Sequence, residues 1–120
     1  MNTVFFYKTD SGKEPAKEFV ENLDKKLRAK VLRTIELLQE YGHDLREPYS
    51  KFIRDGIFEL RVQLGSDNVR ILYFFFFEGN IILTNGFMKK KSKVPNEEIE
   101  KAKSYRKNYL ERLEKDKKIQ

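Results

Sequence analysis

The sequence predicts an α+β fold in which helices pack on a mainly antiparallel sheet. Apolar residues recur every three or four positions within residues 14–41 and again after residue 95, as they do on one face of a helix. From residue 51 to residue 88 the pattern instead alternates or runs continuously, and two tight turns interrupt it. Because strands and helices are grouped along the chain rather than alternating, consecutive strands should pair antiparallel.

The N-terminal part predicts one strand followed by two helices. Residues 3–8 are rich in β-branched and aromatic side chains and end at a cluster of turn-forming residues. Pro15 stands at the start of a short helical pattern that runs to about Leu23, a position where its missing N–H is tolerated. Asp24 is the predicted N-cap of a second helix that ends at Gly42, and the two helices should form a hairpin.

The remainder predicts a three-stranded antiparallel meander and a last helix. The period changes to two from Lys51, and the alternating residues 58–64 belong to the first strand. Residues 69–77 and 81–88 are the second and third strands, and glycine-containing turns separate the three. The aromatic run within the second strand indicates that this middle strand is covered on both faces. Pro95 opens a helix with an apolar stripe, and we expect its charged end to fray from about residue 115.

Length and composition indicate a single domain over residues 1–120 in a reducing compartment. A chain of 120 residues is long enough for one hydrophobic core and too short for two. It has no cysteine, which excludes disulfides, thiolate nucleophiles and thiolate metal sites. Its start lacks a basic segment followed by an apolar run, and no 18 apolar residues stand in line, so we expect a cytoplasmic protein without membrane contact.

The positive charge is concentrated at the C-terminal end. Residues 86–120 hold 12 Lys/Arg and 6 Asp/Glu, whereas residues 1–85 hold 13 of each, so the net charge of +6 lies in the last segment. A localised basic field suits a polyanion such as a nucleic-acid backbone. A solvated, lysine-rich terminal helix explains the same charge equally well.

Several motifs in a fixed order carry a family resemblance. They are Glu-Leu-Arg at 59–61, Arg-x-x-Tyr-Phe at 70–74, Gly-Phe-Met-Lys-Lys at 86–90 and Pro-x-x-Glu-Ile-x-x-Ala at 95–102. In this combination, and over nearly the whole chain, the sequence resembles the HigB-like, phage-derived branch of the RelE/ParE toxin superfamily.

The resemblance implies a RelE-like fold, in which the N-terminal strand and the meander complete a four-stranded sheet. It implies the toxin of a type II toxin–antitoxin system, a ribosome-dependent mRNA endonuclease, or mRNA interferase, that inhibits translation without a cofactor. The implied partners are a helix-turn-helix antitoxin of the HigA type and the ribosome with its mRNA. Operator DNA would be bound only through the antitoxin complex.

Metal-independent RNA cleavage needs a base, an acid and cations around the scissile phosphate. Arg61 and Arg70 are candidate clamps, because the planar guanidinium binds phosphate well and does not release its proton. Lysine must then transfer protons, and the crowding of lysines within residues 89–93 favours a neutral amine on one of them. The resemblance favours Lys90 as the catalytic lysine. The predicted RNA-binding residues are Lys89, Lys91, Lys93 and Phe87.

Each candidate also has a structural interpretation. Arg61 can pair with Glu59, which lies on the same face of its strand, and the lysines can anchor phosphate without transferring a proton. Phe87 can belong to the core. Arg70 lies in an almost wholly apolar strand and needs a partner if it is buried.

Other polar residues are weaker candidates. His43 is the single histidine, so a histidine pair is excluded and a structural loop position is favoured. Tyr105 and Tyr109 could place a phenol near the phosphate, although packing of a helix stripe is favoured. Glu97 and Glu98 suit the first turn of the last helix, and no acidic or histidine cluster has the spacing of a metal site.

Two other functions stay open. The chain could be a non-catalytic inhibitor of DNA gyrase, like the ParE branch, or a basic RNA-binding module without enzyme activity. The group of Arg61, Arg70 and Lys90 argues against the first, because gyrase binding needs no phosphate pocket. Substitution of Arg70 separates an endonuclease from an RNA-binding module. Catalysis should be lost in an endonuclease, whereas the affinity of a binding module should only weaken gradually with salt.

Overall fold

The structure is a computed structural model that describes residues 2–119 and the side chains of residues 2–117. A short 3-10 turn, Gly42–Asp44, follows the second helix. The other elements are β1 (Thr3–Phe6), α1 (Pro15–Glu21), α2 (Lys25–Tyr41), β2 (Ser50–Arg54), β3 (Ile57–Leu64), β4 (Asp67–Phe76), β5 (Asn80–Met88) and α3 (Asn96–Ile119).

The strands form one five-stranded sheet in the order β1-β5-β4-β3-β2. The predicted antiparallel meander is β3, β4 and β5, and β1 runs parallel to β5 at one edge of the sheet. The α+β class is therefore confirmed. The predicted count of four strands is wrong, because β2 pairs antiparallel with β3 and forms the other edge.

The sequence patterns do not single out β2, because its short segment lacks a clear alternation between buried and exposed residues. Lys51 and Phe52 are both exposed. The hairpin turn that joins β2 to β3 is Asp55-Gly56, with φ angles of 54° and 79°. Such a pair, with positive φ at both positions, is the preferred two-residue hairpin turn. Asp55-Gly56 is thus the sequence signal that could have revealed β2.

The sheet separates two apolar clusters. On one face α1 and α2 cover a cluster that includes Val31 and Ile71. On the other face α3 covers a cluster that includes Leu72 and Ile99. Successive residues of β4 enter opposite clusters, so the prediction that the middle strand of the meander is buried on both faces is confirmed.

The helix ends follow local chemistry. The Asp24 carboxylate accepts a hydrogen bond from the Leu27 N–H at 3.2 Å and caps α2, as predicted. α3 continues through residues 115–119, for which the sequence predicts a frayed tail, and Gln120 lies outside the described residues. Among residues 2–119, no helix combines the length and apolar character needed to cross a bilayer.

Three cationic side chains of α3 pair with groups elsewhere in the fold. Lys103 pairs with the Asp55 carboxylate at 3.1 Å, and Arg106 donates to the Asp55 carbonyl oxygen at 2.5 Å. Farther along, Arg112 pairs with Asp10 at 3.5 Å. These cations of the basic C-terminal segment therefore have structural partners, and the groups that could meet a polyanion lie elsewhere.

Candidate functional site

Arg61 and Arg70 lie directly opposite each other on β3 and β4. They share the sheet face on which α3 packs, because Leu72, two residues after Arg70, belongs to the cluster under α3. The Arg61 N–H donates to the Tyr49 carbonyl oxygen at 2.8 Å, away from β4. The two arginines are therefore a non-hydrogen-bonded pair, in which cross-strand side chains come closest. Two like charges in that position need a counter-ion.

Glu59 supplies that counter-ion from β3. One carboxylate oxygen lies 3.5 Å from Arg61 Nε, and the other lies 3.5 Å from Arg70 Nε. Glu59 is only 3% exposed and Arg70 only 5%. The partner that a buried Arg70 requires is thus Glu59, and the ion-pair interpretation of Arg61 is confirmed.

The contact between Glu59 and Arg70 is an ion pair without a hydrogen bond. Glu59 Oε2 and Arg70 Nε are buried, and neither has a hydrogen-bond partner among the described residues. Burial lowers the pKa of Arg70, and the nearby Glu59 carboxylate opposes that shift. The guanidinium nevertheless stays charged, because arginine does not deprotonate in proteins.

Arg61 is the more open of the two arginines. Its side chain is 29% exposed, and it also lies 3.5 Å from the exposed carboxylate of Glu47. An incoming phosphate can therefore reach Arg61 directly, whereas Arg70 acts mainly through its charge.

Lys89 comes two residues after Phe87, which lies opposite Arg70, so it is the lysine nearest in register to the arginine pair. Its N–H donates to the Asn68 carbonyl oxygen at 2.7 Å, which extends the ladder between β4 and β5 beyond Met88. Burial lowers the pKa of Lys89, and the positive charges of Arg70 and Arg61 lower it further against the opposing effect of Glu59. An amine with a lowered pKa is better suited to proton transfer than an ordinary lysine.

The other candidates from the same segment occupy two environments. Lys90, Lys91 and Lys93 are exposed in the loop between β5 and α3. Phe87 lies opposite Arg70 on β5 and packs, partly buried, against the cluster under α3. Its core interpretation is confirmed, and its position still borders the arginine pair.

A groove of about 420 Å³ opens beside the arginine pair. It lies at the edge of the sheet, between α2 and the part of β3 that continues past its last pairing with β2, so residues from both faces of the sheet line it. Among the described residues that line it, the charged ones are all cations: Lys30, Arg61 and Arg70. A volume of this size is within the range of small-ligand pockets.

The weaker candidates have structural roles away from this site. The His43 ring stacks on Phe75, with centroids 3.5 Å apart, on the face covered by α1 and α2. Tyr105 stacks on Tyr7 at 4.7 Å, and Tyr109 packs edge-on against the aromatic side chains of β4. The structural interpretations of these three residues are therefore confirmed.

Glu97 and Glu98 lie in the first turn of α3. The side chain of Glu98 accepts a hydrogen bond from Asn85 Nδ2 at 3.0 Å in the first turn of the helix. Over the part of the chain that the structure describes, histidine and acidic residues form no group of three that could hold a metal ion. The arginine pair and Lys89 can supply charge stabilisation and proton transfer.

Two features of the site are missing from the sequence predictions. Lys51, opposite Glu59 on β2, adds to the positive charge around Lys89, and it could not be placed without recognising β2. The link from Glu59 to Arg70 depends on the register of β3 and β4, whereas its link to Arg61 could be read from their spacing along one strand.

The family model of the phage-derived Gp49-like proteins (DUF891) matches residues 18–107. The match runs from α1 into α3 and includes the whole arginine pair with Glu59 and Lys89. No curated protein matches the chain in sequence. Because the family model covers most of the chain, the protein belongs to the Gp49-like family of phage-derived, toxin-like proteins, within the RelE/HigB-like toxin superfamily.

Proposed function

We propose that the chain is the toxin of a type II toxin–antitoxin pair and that it cleaves mRNA on the ribosome, which stops translation. Membership of a toxin-like family supports a toxin with an antitoxin partner. The observation that carries the endonuclease activity is the Arg61–Arg70 pair with Lys89, an amine of lowered pKa, beside it. Paired cations suit a phosphate, and such an amine suits proton transfer.

In the proposed reaction the RNA supplies its own nucleophile. The 2′-hydroxyl gives its proton to the Lys89 amine, whose pKa is lowered by burial and by the arginines, and its oxygen attacks the adjacent phosphorus. The bond from phosphorus to the 5′-oxygen of the next nucleotide then breaks. The products are a 2′,3′-cyclic phosphate and a 5′-hydroxyl, which takes its proton from the Lys90 ammonium. Arg61 and Arg70 stabilise the extra negative charge on the phosphoryl oxygens.

The exposed loop would hold the strand on which this reaction occurs. Lys91 and Lys93 would contact neighbouring phosphates, and the free edge of Phe87 would meet a base. Such contacts are individually weak. The decoding site of the ribosome would supply the missing alignment of the message, which by itself contributes a large part of a rate enhancement.

The antitoxin would regulate the activity of the toxin. An antitoxin of the HigA type would silence the toxin in the cytoplasm, and its helix-turn-helix would carry the complex to operator DNA.

Cleavage mapping in a reconstituted translation system tests the proposal. New mRNA 5′ ends should appear on translated message and not on naked mRNA. Arg61→Ala should lower the cleavage rate by about a hundredfold or more, because it removes a charge that contacts the transition state. Arg33→Ala, at an exposed position of α2 with its own carboxylate partner, is the matched control and should cleave normally.

Absence of cleavage in both settings would overturn the proposal. If translation is also unimpaired, a supercoiling assay with DNA gyrase then tests the non-catalytic alternative. Cleavage of naked mRNA at the same rate would remove the ribosome from the proposal and leave a general ribonuclease.

A further inference from the structure

We propose that the groove beside the arginine pair is a binding subsite for the nucleotide next to the scissile phosphate. Lys30 would hold the phosphate of that nucleotide, and Tyr49 would stack on its base. This inference rests on the proposed function, since it places a second nucleotide of the same single-stranded RNA.

The groove exists because β2 is shorter than β3. The last pairing of β2 joins Ser50 to Leu60, and the Arg61 N–H is the final backbone donor to the segment before β2. From there to Leu64 the edge of β3 has no neighbouring strand within residues 2–119, and α2 lies across the gap. An extended chain can therefore lie along this edge without displacing any secondary structure.

The charges of the groove suit more than one phosphate. Arg61 and Arg70 stand at the sheet, and Lys30 reaches in from α2, where its ammonium donates to the Gln63 carbonyl oxygen. No acidic residue lines the groove among those the structure describes. Cations gathered in a concave, low-dielectric site focus their field on the ligand. A single phosphate at Arg61 would leave the Lys30 ammonium for the next phosphate of the RNA strand.

Tyr49 gives the groove an aromatic surface. Its side chain is 44% exposed, although a tyrosine ring gains free energy from burial. An exposed aromatic ring in a basic groove is the arrangement on which single-stranded bases stack with little sequence preference. The amides of Gln63 and Asn68, also in the lining, offer donors and acceptors to a base edge.

Direct binding of RNA, without ribosomes, tests the subsite. The probe is a fluorescein-labelled single-stranded RNA hexanucleotide, and its anisotropy is followed at several salt concentrations. Lys30→Gln should weaken binding about tenfold, since it removes a charge-assisted contact. The plot of log K against log salt should also become less steep by about 0.7, which is the contribution of one phosphate contact on a single strand.

Tyr49→Leu should give a different signature. It should weaken binding about tenfold through lost stacking and leave the salt slope unchanged. Tyr41→Leu, at a tyrosine that is 50% exposed outside the groove, and Lys107→Gln, on exposed α3, are the matched controls. Both controls should bind within about twofold of the unsubstituted protein, as expected for residues that do not touch the RNA.

The subsite and the endonuclease fail in different ways. If the unsubstituted protein binds no RNA, or if Lys30→Gln and Tyr49→Leu bind like the controls, the subsite is overturned, whatever the cleavage assay shows. If both variants show their signatures and cleavage is absent, the groove remains an RNA-binding site and the endonuclease proposal fails. A poly-glutamate peptide that competes more strongly than RNA would overturn the subsite in favour of docking by an acidic protein segment.

Discussion

Arg61 on β3 stands directly opposite Arg70 on β4, and one buried carboxylate, that of Glu59, contacts both. The site thus concentrates positive charge at the closest cross-strand position and stabilises it from within the sheet. This arrangement makes the electrostatics of the candidate site and the stability of the fold depend on the same three residues.

Glu59→Gln should destabilise the protein by about 3 kcal/mol, because it leaves the nearly buried Arg70 without a charged partner. Urea unfolding followed by circular dichroism measures this loss. Glu47→Gln is the matched control, since Glu47 contacts Arg61 at 3.5 Å from a side chain that is 60% exposed. Exposed pairs contribute about 1 kcal/mol or less. Equal losses in the two variants would show that Glu59 is not the counter-ion described.

Lys89 should titrate below the range of an ordinary lysine, because burial and the arginines disfavour its ammonium. Arg61→Gln should raise this pKa, since it removes one of the positive charges that lower it. Glu59→Gln should lower it further, since the carboxylate favours the ammonium. NMR titration of the ¹³Cε signals of labelled lysine measures the pKa of Lys89 in the unsubstituted protein and in the two variants. A Lys89 that titrates like lysine in an unstructured peptide would contradict the assignment of the base.

Tyr73 should make the protein sensitive to alkaline pH. Burial raises its pKa to about 12, against a hydrogen bond with the Ser50 hydroxyl. The unfolded chain releases this proton near pH 10, so the stabilisation is complete below about pH 10 and is lost as the pH rises towards 12.

The check on Tyr73 is a series of urea unfolding curves at rising pH. Tyr73→Phe should flatten the alkaline decline of the unfolding free energy by about 2 to 3 kcal/mol. Tyr41→Phe, at an exposed tyrosine, should keep the slope of the unsubstituted protein. An unchanged slope in Tyr73→Phe would mean that this phenol ionises freely in the folded state.

Gly56→Ala should cost more stability than Gly65→Ala, although both glycines have positive φ. An added Cβ at Gly56 would lie 2.9 Å from Arg106 Nη1, whereas nothing lies within 4 Å of the same atom at Gly65. Backbone strain should cost each variant about 1 kcal/mol, and loss of the Arg106 hydrogen bond to Asp55 should add about 1 kcal/mol to the first. Thermal unfolding compares them, and equal losses would argue that this contact with α3 contributes nothing.

The local features of the chain could be predicted where short-range chemistry dominates. The cap at Asp24, the meander and the burial of β4 follow from residues that are neighbours in sequence. β2 could not be recognised from alternation, because an edge strand with exposed Lys51 and Phe52 has no consistently buried face. The sequence predicts that β1 belongs to the sheet. Its parallel pairing with β5 depends on contacts between residues more than 70 positions apart.

For the site, the sequence by itself determined which residue types were present: two arginines on adjacent strands, a glutamate two residues from one of them, and a run of lysines. Only the tertiary structure decided which of them meet. Strand register places Arg61 opposite Arg70. The backbone hydrogen bond from Lys89 to Asn68 places Lys89 near them. Electrostatic effects depend on distance and burial, and neither is a property of spacing along the chain.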